Sequence, residues 1–325
     1  MSKRIVFEQV GGPEVLTLTH FTPATPKPGE VLVRNEAIGF NFIDIYYRTG
    51  LYSVAQLPSG LGSEAAGVVE AVGEGVTRVA PGDRVAYASA PLGAYASHHT
   101  VREQVVVQLP ESISFEQAAA VLLKGLTVQY LLRQTYRVQT GETVLFHAAA
   151  GGVGTIACQW AKALGVQLIG TVGSDEKAEV ALTNGAWATI NYQKENIVER
   201  VRTLTDDEMC PVVFDSVGKA TWLDSLDCLQ KRGLMVSFGN ASGAVTGVDL
   251  GILNKKGSLF VTRPSLRGYA NTPERLQKMS DDLFARIQEG SIDVTPNNRF
   301  ALEEVGEAQR QLVARELTGL TVLIP

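Results

Sequence analysis

A stretch of small residues near the middle of the chain has the composition of a phosphate-binding turn. Residues 144–154 read as an apolar strand, a turn of alanines and glycines and the start of a helix, with the pattern A-x-G-x-x-G on Ala149, Gly151 and Gly154. Small residues let the backbone approach a pyrophosphate, and a helix opening near Gly152 presents free N–H groups and a positive dipole end. A lone pattern of this kind also fits an ordinary glycine-containing turn. Because a second strand follows the helix, we interpret it as a dinucleotide-binding site.

The residues after that second strand discriminate between the two nicotinamide dinucleotides. An NAD-specific site usually places an acidic residue about 20 positions after the glycines, where it binds the ribose 2′-hydroxyl. Here the strand ends in Gly173-Ser174, and we place the following Asp175-Glu176 in the first turn of a helix, where carboxylates favour the dipole. Lys177, Ser174 and Tyr192 could together bind a 2′-phosphate, which favours NADPH. A solvated surface lysine is the alternative for Lys177, and spacing alone does not separate the two.

Alternating strands and helices surround this turn. We predict strands over Thr143–His147 and Gln167–Val172, each followed by a helix, the first through Leu164 and the second through Asn184. Apolar runs at residues 212–215, 234–238 and 258–262 predict three more strands of a parallel sheet. A sixth strand would complete a Rossmann domain.

The first third of the chain is strand-like. Short apolar runs at residues 30–34 and 65–72, separated by Gly and Pro, predict an all-β subdomain. Ser114 and Gln117 match a capping box that opens a helix. Near the end, we predict helices over Pro273–Glu289 and around Glu303–Ala314, then a closing strand over Thr321–Ile324.

Composition bounds the classes of function. At 325 residues, the chain exceeds the size at which one core usually stops growing, so two domains are expected. Hydrophobic residues at 45% and charged residues at 19% are typical of a globular protein, and a net charge of -5 disfavours nucleic acid as a main partner.

We see no signal peptide and no run of membrane-spanning length, so the cytoplasm is the expected location. The three cysteines are widely spaced, which predicts neither disulfides nor a thiolate metal site.

Several motifs carry a resemblance to a known family over the whole chain. They are Asn41 to Tyr46, Leu57 to Gly67, Pro81 to Val85, Lys124 to Thr127 and Ala148 to Gly154. The chain resembles the medium-chain dehydrogenase/reductase superfamily, in its zinc-independent NADPH:quinone oxidoreductase branch related to zeta-crystallin. The resemblance implies an α/β fold in which a GroES-like β domain (residues 1–125 and 266–325) joins a doubly wound Rossmann domain (residues 126–265). It also implies a homodimer, formed by strand pairing around Leu253 to Val261.

The chain departs from the zinc alcohol dehydrogenases of this superfamily at the positions that bind metal. Those enzymes carry a metal-binding Cys early in the chain and G-H-E in the second motif, where this chain has Asn41 and Gly62-Ser63-Glu64. The four clustered cysteines of their structural zinc lobe are missing, and the four histidines lack ligand spacing. We expect no metal. Without a Lewis acid, oxidation of simple alcohols becomes unfavourable, whereas a quinone or enone accepts hydride with little help.

The resemblance also implies site residues, which it places at a cleft between the domains. Asn41 and Tyr46 are expected to orient the acceptor by donating a hydrogen bond to its oxygen, with Tyr52 in the pocket wall. For Tyr46, a buried structural tyrosine is an equal alternative. The residues expected to bind the cofactor are Phe42, Ile43, Asp44, Tyr46, Thr127, Tyr130, Gly151, Gly152, Val153, Gly173, Ser174, Lys177, Tyr192, Ser216, Phe238, Gly239, Asn240, Ala241, Pro264, Ser265, Leu266 and Arg315.

Residues 238–241, Arg315 and the two adjacent histidines can also be judged from their positions in the chain. Residues 238–241 follow a strand, and ligands of open α/β sheets bind at strand ends. Arg315 matches a phosphate-side arginine of the family, with a surface ion pair as the alternative. His98 and His99 are adjacent in a predicted strand with side chains on opposite faces, so we assign them no catalytic role; quinone oxygens can take protons from water.

The expected activity is therefore NADPH-dependent reduction of a quinone by hydride or electron transfer. An alternative is a 2-alkenal or enoyl reductase that acts on a conjugated C=C bond with the same cofactor, because acceptor choice depends on a pocket that the sequence does not locate. An alternative of another class is an NADPH-binding protein with an RNA-binding or crystallin-like structural role. The acidic charge balance argues against RNA.

Overall fold

The computed structural model describes residues 1–89 and 91–325, which form two compact units. Unit 1 comprises Met1–Leu126, Tyr269–Gln288 and Val294–Pro325, and unit 2 comprises Thr127–Gly268 and Glu289–Asp293. Across these residues, no helix combines the length and apolar character needed to cross a membrane.

The strands and helices are numbered in chain order. The strands are β1 Ser2–Phe7, β2 Thr17–Phe21, β3 Glu30–Gly39, β4 Ser59–Gly60, β5 Ala65–Val72, β6 Arg84–Tyr87, β7 His98–Arg102, β8 Val106–Gln108, β9 Thr143–Phe146, β10 Gln167–Val172, β11 Ala188–Asn191, β12 Cys210–Asp215, β13 Leu229–Ser237, β14 Phe260–Thr262, β15 Asn298–Ala301 and β16 Thr321–Ile324. The α-helices are α1 Phe42–Arg48, α2 Phe115–Tyr130, α3 Gly152–Ala163, α4 Asp175–Thr183, α5 Ile197–Leu204, α6 Trp222–Asp227, α7 Gly251–Lys255, α8 Leu266–Tyr269, α9 Pro273–Gln288 and α10 Val305–Val313.

Unit 1 is built on β-sheets, as the early apolar runs predict. One sheet has the order β15-β16-β3-β5-β6-β8, with β7 also paired to β3, and a second has the order β2-β1-β4. Its core is apolar: Val31, Val33 and Ile38 of β3 are fully buried against residues from both sheets. The closing strand β16 pairs antiparallel with β3, which confirms that the tail returns to the first domain.

The capping box at the start of α2 is also confirmed. The Gln117 backbone N–H donates to the Ser114 hydroxyl at 3.1 Å, and the Ser114 N–H donates to the Gln117 side chain at 2.9 Å. These bonds satisfy N–H groups that the first helical turn cannot pair internally, so α2 begins at a defined residue.

Unit 2 contains a parallel six-stranded sheet in the order β11-β10-β9-β12-β13-β14. The chain runs outward from β9 to β11 and then crosses to β12 on the other side of β9. That reversal is the topological switch point of a Rossmann sheet, where ligands bind beyond the carboxyl ends of the strands.

Several strand boundaries differ from the prediction: β3 extends to Gly39, β9 ends at Phe146 rather than His147, and β12 begins at Cys210 rather than at residue 212. The sixth strand is β11, a four-residue edge strand that is only half buried at its start, so it leaves a weak apolar signal. β13 begins at Leu229, earlier than predicted. Its early part was not predicted because the residues directly after Leu229 are exposed and polar. β14 begins at Phe260 rather than Ser258, since Ser258 has a positive φ of 57° that a strand does not allow.

Candidate active site

The turn between β9 and α3 has the tight backbone that the glycine pattern predicts. A Cβ at Gly154 would lie 2.4 Å from the Ala148 carbonyl oxygen and 2.6 Å from two Ala149 backbone atoms. At Gly151, which caps α3, a Cβ would meet only the Ala148 oxygen, at 3.3 Å. Gly154 therefore allows the helix to pack against the turn, whereas Gly151 leaves the outer face of the turn open. The first N–H groups of α3, at Gly152 and Val153, have no acceptor within the helix and can bind an anion.

A buried histidine anchors this turn to the sheet. His147 follows β9 and is 1% exposed, with Nδ1 3.0 Å from the Thr171 hydroxyl and Nε2 3.0 Å from the Ser225 hydroxyl. Burial lowers the pKa of His147, so the ring is neutral near pH 7. The Thr171 hydroxyl also accepts from the Ala148 N–H at 3.3 Å, and Ala148 adopts a positive φ of 58°. Strands β9 and β10 and helix α6 are thereby joined at the point where the turn begins.

The loop after β12 is fixed by the buried carboxylate of Asp215. One of its oxygens accepts the N–H groups of Val217 and Gly218 at 2.7 and 2.9 Å, and the other accepts the hydroxyls of Thr221 and Ser225 at 2.7 and 2.8 Å. Four donors saturate this carboxylate, so its role is to shape the loop that begins at the predicted cofactor residue Ser216.

The end of β10 bears out the interpretation of the acidic pair. Asp175 and Glu176 lie in the first turn of α4, whose N-cap is Ser174; its hydroxyl accepts from the Lys177 N–H at 3.3 Å. Asp175 accepts from Asn191 at 2.8 Å and pairs with Lys194, which lowers its pKa. Its carboxylate is thus already bound to neighbours within unit 2.

Tyr192 lies directly over Gly173. A Cβ at Gly173 would come within 2.5 Å of the Tyr192 hydroxyl oxygen, so glycine is required for this contact. Tyr192 is 37% exposed and Lys177 is half-buried. Gly173 and Ser174 thus lie at the end of β10, with Tyr192 over Gly173 and Lys177 in the first turns of α4.

The ends of β13 and β14 are joined by the arginine that follows β14. Arg263 donates from Nη1 to the Ser237 hydroxyl at 3.1 Å and to the Gly239 carbonyl at 2.8 Å. A Cβ at Gly239 would lie 2.3 Å from the Ser216 carbonyl oxygen, so the loops after β12 and β13 are in close contact. The predicted residues Ser216 and Gly239 are neighbours. Phe238, Asn240 and Ala241 lie in the loop after β13, and Pro264 and Ser265 lie in the segment after β14.

In unit 1, the predicted residues Asn41 and Asp44 belong to a buried polar cluster. The Asn41 side chain donates from Nδ2 to Glu64 Oε2 at 2.7 Å, and the Leu123 N–H donates to Glu64 Oε1 at 2.6 Å. The Asp44 carboxylate accepts from the Asn41 N–H at 3.0 Å and from the Tyr95 hydroxyl at 2.7 Å, both on Oδ2. No role was predicted for Glu64, Tyr95 or the nearby Lys124. Charged residues within apolar segments, such as Lys124 in α2, were the available signal.

Burial dominates the electrostatics of this cluster, which we call the Asn41–Glu64 cluster. Desolvation raises the pKa of Asp44 to about 7, although the hydrogen bonds from Tyr95 and Asn41 act in the opposite direction. Desolvation also raises the pKa of Glu64 and lowers that of Lys124, while the attraction between these two groups opposes both shifts. The attraction between Glu64 and Lys124 therefore favours the charged form of each, and Asp44 is partly protonated near neutral pH.

Aromatic rings extend from helix α1 beside this cluster. The Phe42 and Tyr46 ring centroids are 5.5 Å apart, and those of Tyr46 and Tyr52 are 5.1 Å apart, both edge to face. Tyr46 is 8% exposed and Tyr52 is half-buried. The three rings form a continuous apolar surface, next to which Ile43 is also half-buried. Such a surface is suited to a flat aromatic ligand.

The remaining predicted residues differ in exposure. Tyr130 and Leu266 are buried and Thr127 is half-buried, whereas Arg315 is exposed and has a positive φ of 62°. His98 and His99 lie in β7 as predicted: His98 faces Glu70 at 3.3 Å, and His99 Nε2 lies 3.0 Å from the Pro91 carbonyl.

The donor set at the metal positions of the zinc enzymes does not fit zinc. Asn41 and Glu64 are bound to each other, and in the described part of the chain no three His, Cys, Asp or Glu side chains are grouped so as to hold a metal ion. The polar groups can instead orient a carbonyl oxygen through hydrogen bonds, and the turn at α3 can bind a pyrophosphate.

Comparisons with known proteins agree with both units. The family model described as "Alcohol dehydrogenase GroES-like domain" matches residues 27–111, and that described as "Zinc-binding dehydrogenase" matches residues 152–285. A quinone oxidoreductase of Pseudomonas aeruginosa is 64% identical over 325 residues, which is all of both chains. The crystal structure of Escherichia coli quinone oxidoreductase complexed with NADPH has 57% identity and a TM-score of 0.98, covering 99% of this chain and 100% of that one. A 2-haloacrylate reductase of Burkholderia sp. is 40% identical over 98% of each chain.

Proposed function

Because the chain belongs to the quinone oxidoreductase family of zinc-independent medium-chain dehydrogenases/reductases, we propose that it reduces quinones with NADPH. The observation that carries the proposal is the phosphate-binding turn of unit 2. Near it, Tyr192 lies over Gly173 at the end of β10, Lys177 lies in α4, and the first acidic residue, Asp175, is already paired. We assign the cofactor to the Rossmann domain, residues 126–265 in the predicted division.

The residues of unit 2 fit a phosphorylated dinucleotide. The turn is held so closely that a Cβ at Gly154 would overlap backbone atoms, and the N-terminus of α3 presents unpaired N–H groups. In the first turn of α4, Asp175 is engaged by Asn191 and Lys194, which compete with a ribose 2′-hydroxyl for its oxygens. Lys177 and Tyr192 supply a cation and a hydroxyl for a 2′-phosphate, which favours NADPH over NADH.

The residues of unit 1 would orient the acceptor. When bound, NADPH supplies a hydride to an electron-poor acceptor. Asn41 has a second amide hydrogen beyond the one donated to Glu64, and Tyr46 has a phenolic hydroxyl; we propose that they donate to the quinone oxygen as negative charge develops there. The rings of Phe42, Tyr46 and Tyr52 would pack against a flat quinone.

The test is anaerobic mixing of the purified protein with NADPH or NADH and 1,4-benzoquinone, followed by nicotinamide absorbance. Quinone-dependent oxidation that prefers NADPH is the expected result, and an alcohol with NADP should give no turnover. NADPH binding without quinone turnover would refute the proposed reaction but not the cofactor site. Salt-dependent RNA binding in that case would indicate the non-catalytic alternative.

Reduction of a conjugated C=C bond is the second candidate, favoured by the 40% identity to a 2-haloacrylate reductase. The same donors could polarise the carbonyl of an enone, so the cofactor site does not distinguish the two acceptors. A comparison of kcat/KM for benzoquinone, a 2-alkenal and 2-chloroacrylate would do so. A value for either alkene above that for every quinone would reverse the order of the two candidates.

We also propose a homodimer that pairs the β14 edges of two copies. β14 is the last strand of its sheet, and Phe260 and Val261 are 59% and 39% exposed, while nearby Leu250 is 74% exposed. An apolar strand edge of this kind favours pairing with another chain. Light scattering after size exclusion should give a dimer for the wild type and a monomer for Val261→Pro, which removes a backbone donor. A monomeric wild type would refute it.

A cytoplasmic location completes the proposal. Cys158, Cys210 and Cys228 are buried free thiols, which suits a reducing compartment. Fractionation of the producing cells should recover the protein with cytoplasmic markers.

A further inference from the structure

The Asn41–Glu64 cluster contains a lysine that the proposed reaction does not use. Lys124 is 7% exposed, and its Nζ has no hydrogen-bond partner among residues 1–89 and 91–325. A buried ammonium without a hydrogen bond is costly, and nearby carboxylates are the groups that can offset this cost. The groups that its charge reaches are the carboxylates of Glu64 and Asp44.

Glu64 is held by donors on both of its oxygens. Oε1 accepts the backbone N–H of Leu123, the residue before Lys124, and Oε2 accepts the side-chain amide of Asn41. A Cβ at Gly39 would lie 2.2 Å from Oε2, so the absence of a side chain there makes room for the carboxylate. Only an ionised carboxylate can accept fully at both oxygens, because a proton on either one displaces a donor.

The two donors differ in how easily they are displaced. The Leu123 N–H belongs to helix α2 and is fixed by the backbone, whereas the Asn41 amide can rotate about its side-chain bonds. A proton added to Glu64 therefore goes to Oε2, and the Asn41 amide loses its fixed orientation.

We propose that Lys124 and Glu64 are positioning residues for Asn41: the buried ammonium keeps Glu64 ionised, and the ionised carboxylate holds the Asn41 amide in the orientation that donates to the acceptor. This inference rests on the proposed function, in which Asn41 contacts the acceptor oxygen. Neither Lys124 nor Glu64 touches the reacting atoms in this scheme. Their contribution is made through Asn41, so it should appear in kcat and its pH dependence rather than in NADPH binding.

Other titratable groups face Glu64 and bear on that pH dependence. They are Lys124 from α2, Asp44 from α1, Tyr87 from β6 and Tyr95 from the segment before β7. Burial raises the pKa values of both tyrosines, so they stay neutral between pH 6 and 9. Asp44 titrates near pH 7 and can add a transition of its own to the pH profile of kcat. That transition is common to all variants that retain Asp44.

The test compares pH profiles of kcat for the wild type, Lys124→Met, Glu64→Gln and the double variant, with benzoquinone as acceptor. Without the ammonium, burial should protonate Glu64 at low pH, so Lys124→Met should lose activity by about tenfold or more at pH 6 relative to pH 9, as expected for one misplaced donor. The double variant should not show this loss of activity at low pH, because the amide that replaces the Glu64 carboxyl does not titrate. Glu64→Gln should be slow at every pH, because its amide nitrogen faces the Asn41 donor. The KM for NADPH should change little in all three.

A Lys124→Met profile that runs parallel to the wild type would overturn the inference, as would a loss of activity at low pH that persists in the double variant. If Lys124→Met does not fold, Glu64→Gln alone decides: unchanged kcat overturns the inference. Crystal structures of the wild type and Lys124→Met at pH 6 and 8.5 provide a readout independent of turnover. Loss of the Asn41–Glu64 hydrogen bond only in the variant at pH 6 supports the positioning role even if the wild type reduces no quinone. Its retention in every structure refutes that role.

Discussion

Replacement of Gly154 by alanine is the sharpest test of the phosphate-binding turn. The added Cβ would lie 2.4 Å from the Ala148 oxygen, whereas ordinary contact begins at 3.4 Å, so the backbone must separate by about 1 Å (3.4 minus 2.4). The atoms that must move belong to Ala148 and Ala149, which are tied to β10 through Thr171. The turn therefore cannot relax by rotating a side chain.

The magnitude follows from two opposing effects. Overpacking of this kind costs about 1–3 kcal/mol, and the contacts here are with backbone, so we take the upper end. Alanine is favoured over glycine in a helix by about 1 kcal/mol, and Gly154 lies in the first turn of α3. We expect a net loss of about 2 kcal/mol in the free energy of unfolding. A turn displaced by this much should also lose at least one N–H bond to phosphate, which weakens NADPH binding by about tenfold or more.

The assays are denaturant unfolding and fluorescence titration with NADPH, applied to three variants. Gly151→Ala adds a methyl group with a single contact at 3.3 Å, so it should leave the free protein stable and weaken NADPH binding where the phosphates approach. Gly306→Ala, in α10, has its nearest neighbour at 3.6 Å and is the matched control, with unchanged binding and equal or higher stability. Gly154→Ala with wild-type stability and NADPH affinity would refute the assignment of this turn. Equal instability of the Gly151 variant would also refute it, because a Cβ at Gly151 meets only one atom, at 3.3 Å, whereas a Cβ at Gly154 would overlap the backbone.

Three further predictions concern other parts of the site. Lys177→Ala should raise the KM for NADPH by about tenfold and leave that for NADH unchanged, because only NADPH has a 2′-phosphate; equal effects on both cofactors in steady-state assays would contradict this. His147→Leu should lower the free energy of unfolding by about 1–3 kcal/mol in urea titrations, since the hydroxyls of Thr171 and Ser225 lose a buried partner. The folded-state pKa of Asp44 lies above its ordinary value of 3.8, so folding favours the protonated acid and this stabilisation is lost as pH rises from about 4 to about 7. The stability gain from Asp44→Asn should therefore grow over that window by at most about 4 kcal/mol and then level off, and a gain independent of pH would show that the carboxyl titrates normally.

The fold was largely predictable because its signals are local. Apolar runs marked the bounds of β5 and β10 to the residue, and the Ser114–Gln117 pair marked the start of α2. The missed strand β11 is short and lies at an edge of the sheet, so it needs little apolar character. The start of β13 was missed because its exposed residues, including Lys231 and Arg232, are polar and carry no apolar strand pattern.

The local patterns of the candidate site were predictable from the sequence, whereas the contacts between distant residues were not. The glycines around α3 and the carboxylates at the start of α4 act within a few residues of chain, so their spacing was informative. The roles of Glu64, Lys124 and His147 were not visible, because their partners are distant in sequence: Glu64 binds Asn41 and Leu123, 23 and 59 residues away. Nothing in the local sequence encodes such a pairing.

The sequence by itself determined the Rossmann turn, the order of strands and helices around it and the preference for a phosphorylated cofactor, since each depends on backbone shape over short distances. Only the tertiary structure decided which buried charges meet. Asn41 and Glu64 are brought together by the pairing of β3 with β5, and Lys124 joins them from α2. The energy of a buried charge depends on the groups around it in space, so its partners are fixed by the folded chain.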